Sequence, residues 1–458
     1  MESIDIQEKL LEKYKMELFE HLIQMIWNDD IESIDNLPKK IQDNNKNDKI
    51  DEEVLINLIR IIIGLNPIKE NNQALKEMVK EANDLSVFCE PIIPIISDAC
   101  KYCSENNKNQ TCFIRTKHIN CNDKRSCSGC GSCISKCKLG AISDKIQFIP
   151  IIKLLKDKDI PVYAIIAPSF VGQFGEDVTP GKLRSAFKQI GFKDMIEVSL
   201  AADILTVKEA YEYCSHIENN NNYFVTSCCC PVWLSLIKNK FPEILDKVSP
   251  SVSPMVACGR LVKILEPESK VVFIGPCTAK KKEATLDDVK DAVDFVLTYQ
   301  EVEVIFKSLN LELSLMDEDE RFEASYSGRI YGRSGGVSKA IEINAKKINP
   351  NIIFKKAILQ GIEECTKGLE ELKNSKLEVT FIEGMGCIGG CAGGPKKIIG
   401  VDECTKYINK YSESTNVITP FDNLNVAQLL ALMGLKKVEA IGEEEEKILK
   451  IFSRDTHK

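Results

Sequence analysis

Hydrophobic residues recur at three- and four-residue steps near the start of the chain, a spacing that predicts amphipathic helices. One such stretch is KLLEKYKMELFEHLIQMI, and a second, EEVLINLIRIIIGLNP, ends with stop signals at Gly64 and Pro67. The polar segment KKIQDNNKNDK between them predicts an exposed loop. We therefore expect residues 1–85 to form a helical N-terminal extension.

From residue 151 the pattern changes to short apolar runs that alternate with amphipathic segments, which is typical of an α/β domain. Four runs predict β-strands that end in a sharp turn: VYAIIAPS, NYFVTSCCCP, KVVFIGPC and VTFIEGMGC. Because ligands of open α/β sheets bind beyond the carboxyl ends of strands, we expect the motifs after these runs to converge on one crevice. The α/β domain should span residues 151–420, and a helical tail should follow over 421–458. The end of this tail, GEEEEKILKIFSRDTHK, predicts a charged, solvated helix.

The overall composition narrows the classes of partner. Apolar residues make up 44% of the chain, charged residues 28%, and the net charge is -8. This mildly acidic balance does not favour nucleic acid as a partner. No apolar run approaches the roughly 20 residues that cross a bilayer, and the N-terminal MESIDIQEKLLEKYKM carries too many charges for a signal peptide. We expect a cytoplasmic protein with neither a membrane nor a nucleic-acid partner.

Nineteen cysteines stand out against this ordinary background. Structural disulfides rarely persist in a reducing compartment, whereas soft thiolates there hold zinc or iron–sulfur clusters. Only four histidines are present, so a histidine-built metal site is not expected. Nine of the cysteines lie between Cys89 and Cys137. The sequence therefore predicts a separate cysteine-rich module over residues 86–150.

The segment CSGCGSCISKC has the C-x2-C-x2-C-x3-C spacing of bacterial ferredoxins. Its glycines allow the backbone to wrap around a [4Fe–4S] cube. The four thiols are Cys127, Cys130, Cys133 and Cys137. In two-cluster ferredoxins the fourth cysteine binds the other cluster, so the cluster to which Cys137 belongs stays open. We expect a ferredoxin-like [4Fe–4S] domain here.

A looser C-x2-C-x8-C-x8-C set precedes this segment. Its members are Cys100, Cys103, Cys112 and Cys121. A second [4Fe–4S] cluster is the preferred interpretation, and the alternative is a zinc knuckle that uses His118.

Three further motifs follow the predicted strands: TSCCCPVW (226–233), GPCTAKKKE (275–283) and EGMGCIGGCAGGP (383–395). Together they resemble the three signatures of [FeFe]-hydrogenases, and TSCCCP with SPSVSPM is most similar to the clostridial-type group B enzymes. The resemblance covers residues 100–420. It implies an α/β fold: an H-cluster domain made of two lobes of sheet plus helices, preceded by a ferredoxin-like iron–sulfur module and the helical extension.

In this family the H-cluster joins a [4Fe–4S] cube to a diiron site that carries CO, cyanide and an azadithiolate bridge. The resemblance implies as ligands of the cube Cys230, Cys277, Cys387 and Cys391. Of these, Cys391 would also bridge to the diiron site. Alignment on the CCP end makes Cys229 the thiol that faces the bridge, and it leaves Cys228 without an assigned role.

The resemblance also implies a proton path whose members are Cys229, Glu209, Glu212 and Ser249. A thiol suits such a relay because its unperturbed pKa of about 8.5 lies near working pH. An alternative role for Glu209 is a capping box with Thr206 at a helix start. Where the best-studied members end the path with an arginine, this chain has His216.

Further residues are expected around the diiron site. By resemblance they are Pro168, Ser169 and Lys280 beside the cyanides, Glu283 to orient the motif, Tyr331 to line the pocket, and Met385. For Met385 a plain core position is the alternative. Lys281 and Lys282 are expected to be surface charges. Gly275, where many members have methionine, predicts looser packing on its side of the site. We expect a structural role for Cys214, Cys258, Cys365 and Cys404.

The implied activity is reversible H2 oxidation and proton reduction in anaerobic metabolism. Electrons would pass through the N-terminal [4Fe–4S] clusters to a ferredoxin-like carrier, and hydrogenase maturation proteins would install the diiron site. The alternative is an H2 sensor that uses the same cluster with little turnover. Sensory relatives tend to lose the relay cysteine, whereas this chain has Cys229. An iron–sulfur scaffold similar to the eukaryotic hydrogenase-like proteins is a third possibility, and the ligand-and-lysine set counts against it.

Overall fold

The computed structural model describes residues 9–45, 50–69, 73–84, 90–100, 127–219, 222–226, 229–374, 376–443 and 446–455. The chain divides into two compact units. The first comprises Met1–Asp159 and Gln300–Leu311, and the second comprises Ile160–Tyr299 and Glu312–Lys458. Several residues of the sequence predictions lie outside the described residues: Cys103, Cys112, His118, Cys121 and Cys228.

Helices dominate the first unit. The spacing of apolar residues predicts Leu10–Trp27 and Glu52–Ile62, but residues 39–44 of KKIQDNNKNDK belong to a helix that buries Ile41, so the expectation of a loop is wrong there. They are α1 (Leu10–Trp27), α2 (Leu37–Asn44), α3 (Glu52–Ile62), α4 (Leu75–Asn83), α5 (Ser132–Lys136), α6 (Phe148–Lys156) and all but the first residue of α12 (Tyr299–Ser308). Their apolar faces form a core in which the rings of Phe19 and Phe148 meet edge to face, with centroids 4.9 Å apart. The buried ammonium of Lys15 is paired with Asp144, with Nζ 3.5 Å from Oδ1, as a buried charge requires.

Seven strands belong to the described part of the second unit. They are β1 (Val162–Ile166), β2 (Asp194–Glu197), β3 (Phe224–Val225), β4 (Lys270–Gly275), β5 (Phe295–Thr298), β6 (Lys356–Gln360) and β7 (Phe381–Met385). Four of them form a sheet in the order β2-β1-β4-β5, and three form a second sheet in the order β3-β7-β6. Every pairing is parallel. The apolar runs predicted as strands are thus β1, β3, β4 and β7.

Helices surround both sheets, which is how a parallel sheet buries its two faces. They are α7 (Pro180–Gln189), α8 (Val198–Glu218), α9 (Pro231–Lys240), α10 (Pro254–Leu265), α11 (Ala279–Glu283), α13 (Tyr326–Arg329), α14 (Gly336–Ile348), α15 (Ile362–Lys373), α16 (Val401–Glu413), α17 (Leu424–Leu432) and α18 (Glu446–Phe452). The helix α8 is 21 residues long and is buried along most of its length, because apolar residues lie on several of its sides.

The strand order brings the sequence motifs together in pairs. In the four-stranded sheet β1 and β4 are neighbours, so the APS turn and the GPC motif leave the same edge. In the three-stranded sheet β3 and β7 are neighbours, so Cys229 and Cys230, after β3, and the CIGGC motif, after β7, also follow the same edge. Parallel strands place their carboxyl ends together, which confirms the expected arrangement within each sheet.

The C-terminal tail departs from the sequence prediction. Helices occur there, but Ile448 and Phe452 of α18 are fully buried, and the backbone N–H of Val252 donates to the carbonyl of Phe452 at 3.0 Å. The expectation of a solvated tail is therefore wrong, because its apolar side packs into the second unit. Of the helices that the structure describes, none has a stretch that is both apolar and long enough for a bilayer.

Candidate active site

The site lies where loops from the two sheets meet. The backbone N–H of Lys396, after β7, donates to the carbonyl oxygen of Pro276, after β4, at 3.0 Å. A Cβ atom at Gly394 would lie 2.8 Å from the same Pro276 oxygen. Only glycine permits this approach, because any other side chain would collide with backbone atoms. The CAGGP sequence therefore has a packing role at the junction of the two sheets.

Three of the predicted cube ligands lie close enough to influence one another. Burial raises the pKa of the Cys277 thiol to about 11; nearby Cys230 adds to the increase and Lys280 opposes it. Burial likewise raises the pKa of Cys391 to about 12, with Cys277 and Cys230 adding to the increase. Each of the three cysteines comes from a different loop, so the fold brings together residues that are far apart in the sequence.

The fourth predicted ligand, Cys387, comes directly after Gly386, a residue whose backbone contacts Cys230. The backbone N–H of Gly386 donates to Sγ of Cys230 at 3.3 Å. The carbonyl of Cys387 then accepts a hydrogen bond from Gly390 at 3.1 Å, which closes the turn that leads to Cys391. The spacing CIGGC thus returns the chain to the same region within four residues.

This set of donors fits an iron–sulfur cluster. The raised pKa values of Cys277 and Cys391 show that these two thiols resist ionisation, and iron would supply the positive charge that holds them as thiolates. Among the described residues, no group of three or more histidine, cysteine or acidic side chains has the tight spacing of a single-ion site. A cube suits a wider spacing because each of its cysteines binds a different iron.

A buried lysine stands beside the cysteines. Burial alone would lower the pKa of Lys280, but Glu283 and the cysteines at 277 and 391 outweigh it, so the pKa lies above its ordinary value. Its Nζ donates to Glu283 Oε2 at 2.6 Å. The same carboxylate accepts from Ser253 Oγ at 3.1 Å, and its other oxygen lies 3.4 Å from Arg454 Nη1. Glu283 therefore orients Lys280, and the tail residue Arg454 supports it.

Two expectations about this region are wrong. Lys281 is completely buried rather than a surface charge, because α11 is an interior helix. Gly275 does not loosen the packing either. A Cβ atom there would lie 2.7 Å from the ring of Phe273 and 3.2 Å from Ala167, so neighbouring side chains already fill the space that a methionine would occupy.

Most of the residues expected around the diiron site are buried, namely Ser169, Lys280, Glu283, Tyr331 and Met385, while Pro168 is partly exposed. Sγ of Cys229 lies 3.8 Å from Sδ of Met385, which also belongs to the apolar core. The hydroxyl of Tyr331 bonds Thr206 Oγ1 at 2.9 Å. The APS turn contains Pro168 and Ser169. Ser169 Oγ lies 3.0 Å from the hydroxyl of Tyr299, and the sequence did not point to Tyr299 as a residue of the site.

The capping alternative for Glu209 is wrong. Thr206 and Glu209 lie in the middle of α8, which begins eight residues before Thr206. Thr206 instead donates to the carbonyl of Ala202 at 2.7 Å. The Glu209 carboxylate is fully buried and accepts from Thr226 Oγ1 at 2.8 Å. Thr226 opens the TSCCCP motif, so this motif contacts the predicted proton path directly.

The outer members of the path meet as well. Ser249 Oγ donates to Glu212 Oε2 at 2.7 Å. His216 faces elsewhere: its Nε2 lies 2.8 Å from the carbonyl oxygen of Tyr223, and burial lowers its pKa. The structure therefore joins Glu212 to Ser249 and uses the His216 ring in a local backbone contact.

The ferredoxin-like segment belongs to the first unit. Gly129 and Gly131 have φ angles of 71° and 74°, which other residues rarely adopt, and the short helix α5 follows. Of its cysteines, Cys133 is buried, and three are partly exposed: Cys127, Cys130 and Cys137. Cys100 is partly exposed and lies 3.9 Å from the carbonyl of Ile96.

The four cysteines outside the motifs are buried. Two of them contact the backbone of residues expected around the diiron site. Cys365 Sγ lies 3.4 Å from the carbonyl of Met385, and Cys404 Sγ lies 3.6 Å from the carbonyl of Ser169. Burial raises the pKa of Cys365 to about 12 and that of Cys404 to about 11. The other two are Cys214 and Cys258.

The sequence of residues 160–395 matches one family model, described as the iron only hydrogenase large subunit, C-terminal domain. The match covers just over half of the chain. The chain belongs to this family. The predicted resemblance is confirmed, and the four predicted cube ligands, Lys280 and the APS turn all lie inside the matched region.

Similar proteins include hydrogenases and proteins with another role. Iron hydrogenase 1 of Clostridium pasteurianum is 30% identical over 344 residues, which are 63% of this chain and 59% of that protein. A cytosolic Fe-S cluster assembly factor of Xenopus tropicalis is 21% identical over 400 residues, which are 73% of this chain and 84% of that protein. The chain therefore spans only part of the clostridial relative.

A solved structure agrees with the observed architecture. The apo form of a variant [FeFe]-hydrogenase from Chlamydomonas reinhardtii superposes with a TM-score of 0.53 at 18% identity, covering 65% of this chain and 94% of that one. At this identity the agreement concerns the fold alone. It confirms the predicted α/β fold of the iron-only hydrogenase domain.

Proposed function

We propose that the chain catalyses reversible H2 oxidation and proton reduction at an H-cluster. The observation that carries the proposal is the group of cysteines from three loops beside the buried Lys280. Cys230, Cys277, Cys387 and Cys391 would hold the [4Fe–4S] cube. Lys280, with Pro168 and Ser169, would hold the cyanide ligands of the diiron site, because a buried ammonium and an anionic ligand supply each other's missing solvation.

When bound, the diiron site supplies the place where H2 is split or formed, and the protein moves the proton. Cys229 takes or gives that proton at Sγ. Glu209, fixed by the 2.8 Å hydrogen bond from Thr226, is the next acceptor. Ser249 and Glu212, 2.7 Å apart, continue the path outward. The buried Met385 and Tyr331 exclude water around Cys229, which keeps proton transfer on this route.

Electrons leave through the first unit in this proposal. Cys127, Cys130, Cys133 and Cys137 hold one [4Fe–4S] cluster, and the set that begins at Cys100 holds a second. The acceptor is a ferredoxin-like carrier, and maturation proteins install the diiron site.

The second candidate is a role in Fe–S cluster assembly without H2 turnover. The similarity to the Xenopus tropicalis factor, over 84% of its length, favours it. A role without H2 turnover needs no proton relay, so it would not require Cys229 or a lysine beside a diiron site.

The test is anaerobic production with hydrogenase maturation proteins, followed by infrared spectroscopy and an assay of H2 turnover. We expect CO and cyanide bands together with turnover. Absence of the bands would contradict the H-cluster and favour assembly, whereas bands with negligible turnover would favour H2 sensing.

Cys229→Ala tests the proton route separately. The infrared bands should persist because the cube ligands are intact, while turnover should fall by at least about a hundredfold. Cys258→Ala is the matched control, since this buried cysteine of α10 lies outside the motifs, and it should keep both bands and turnover. Full turnover in Cys229→Ala would refute this route.

A further inference from the structure

A second buried lysine lies in the predicted proton path. Lys208, on α8, is only 3% exposed. Its Nζ forms an ion pair with Glu212 Oε1, one helical turn further along, and donates to Ser251 Oγ at 3.1 Å. Lys208 does not belong to the motifs that carry the family resemblance.

Together with two serines, Lys208 and Glu212 form a closed ring of hydrogen bonds in the outer part of the predicted path. Glu212 uses Oε1 for Lys208 and Oε2 for Ser249 Oγ. The backbone N–H of Ser251 donates back to Ser249 Oγ at 3.2 Å, and Ser251 Oγ accepts from Lys208. Both oxygens of the carboxylate are therefore committed, and only Oε2 is presented to the serine. The Glu212 side chain is 15% exposed, so it also reaches solvent.

We propose that Lys208 is a positioning residue of the proton path, which holds Glu212 Oε2 against the Ser249 hydroxyl through its ion pair with Oε1. This inference rests on the proposed function. In the outward step one proton passes from the Ser249 hydroxyl to Glu212 Oε2, while Ser249 regains a proton from the inner side. Glu212 then releases its proton to solvent, and Lys208 neither gives nor takes a proton in this step. No electron is exchanged at these residues.

The ion pair controls the position of the Glu212 carboxylate. Lys208 Nζ holds Oε1, which leaves Oε2 directed at the Ser249 hydroxyl. Without the lysine, the partly exposed carboxylate can rotate toward water and lose the 2.7 Å contact. Proton relays need heavy-atom distances near this value, and small displacements slow them strongly.

The test compares Lys208→Met with Lys208→Arg in the protein loaded with its diiron site. Lys208→Met keeps the length of the side chain without the charge, and turnover should fall by at least about tenfold. Lys208→Arg restores the charge and the donor, and it should recover most of the loss. The CO and cyanide bands should be unchanged in both, because Lys208 contacts none of the proposed ligands. Lys208→Gln replaces the methionine variant if that variant does not fold.

A second readout needs no turnover. In a crystal structure of the protein without its diiron site, Lys208→Met should show Glu212 Oε2 outside hydrogen-bond distance of Ser249 Oγ, whereas Lys208→Arg should keep this contact. In the Glu212→Gln background, Lys208→Met should slow turnover no further, because both act through one contact.

The possible failures are distinguishable. If the unsubstituted protein lacks the bands or turnover, the proposed function fails. If it turns over and Lys208→Met retains full rate with the contact between Glu212 and Ser249 in place, or if Lys208→Arg restores nothing, the inference about Lys208 is refuted.

Discussion

Gly384, within β7, lies against an indole ring, and its replacement by alanine tests how the site loops are supported. A Cβ atom at this position would lie 2.2 Å from the ring of Trp233. Ordinary contacts of this kind are well over an ångström longer. Trp233 is 1% exposed, so the ring has no free space into which it could retreat.

The cost of Gly384→Ala follows from two terms. Overpacking a tight core costs about 1–3 kcal/mol. The ring is also held by a hydrogen bond from its Nε1 to the carbonyl of Thr226 at 2.9 Å, and displacing the ring sacrifices about 1 kcal/mol more. We expect the free energy of unfolding to fall by about 2–4 kcal/mol in total. Because Thr226 precedes the triple cysteine, iron bound per chain should fall as well.

The assay is equilibrium denaturation by guanidinium chloride under anaerobic conditions, together with iron analysis. Gly400→Ala is the matched control: a Cβ atom there meets nothing within 4 Å, and its φ of -63° suits any residue. The control should change stability by less than about 0.5 kcal/mol. Equal stabilities for the two variants would refute the argument, because it would mean that Trp233 moves freely.

Two further predictions concern buried charge. Arg454→Met should lower the free energy of unfolding by about 3 kcal/mol, because it leaves the buried Glu283 carboxylate without this partner; Arg454→Lys should lose less, and equal losses in denaturation curves would contradict the charge argument. Burial raises the pKa of Asp203 to about 6, so the folded state holds this proton more tightly than the unfolded chain. The protonated carboxyl therefore makes its full contribution to stability below about pH 4. This contribution declines by about 3 kcal/mol as the pH rises through about 6. The difference in stability from Asp203→Asn, measured across that range, should show the decline.

Local patterns determined much of this protein in advance. Three- and four-residue periodicity predicts the N-terminal helices, and apolar runs followed by turns predict β1, β3, β4 and β7. These features depend on neighbours along the chain, so they can be read without knowing the fold. The spacing of the cysteine motifs also identified the family, since each motif needs its residue types at fixed intervals.

Contacts between segments that are distant in the chain could not be predicted from the sequence. Thr206 and Glu209 have the spacing of a cap, yet they lie in mid-helix, since α8 starts earlier than the local signal indicates. Lys281 looks like a surface charge in a run of lysines, yet its helix is enclosed. Whether a polar residue is exposed depends on which elements cover it, and a short motif carries no information about that.

The chemistry of the candidate site divides in the same way. The sequence by itself determined which thiols and carboxylates are available and which motif each belongs to. Three facts depend on the tertiary structure: Cys230, Cys277 and Cys391 lie near one another, Thr226 donates to Glu209, and Lys208 forms an ion pair with Glu212. The reason is physical: parallel strands that are far apart in the chain place their ends together, and distances between side chains depend on that packing.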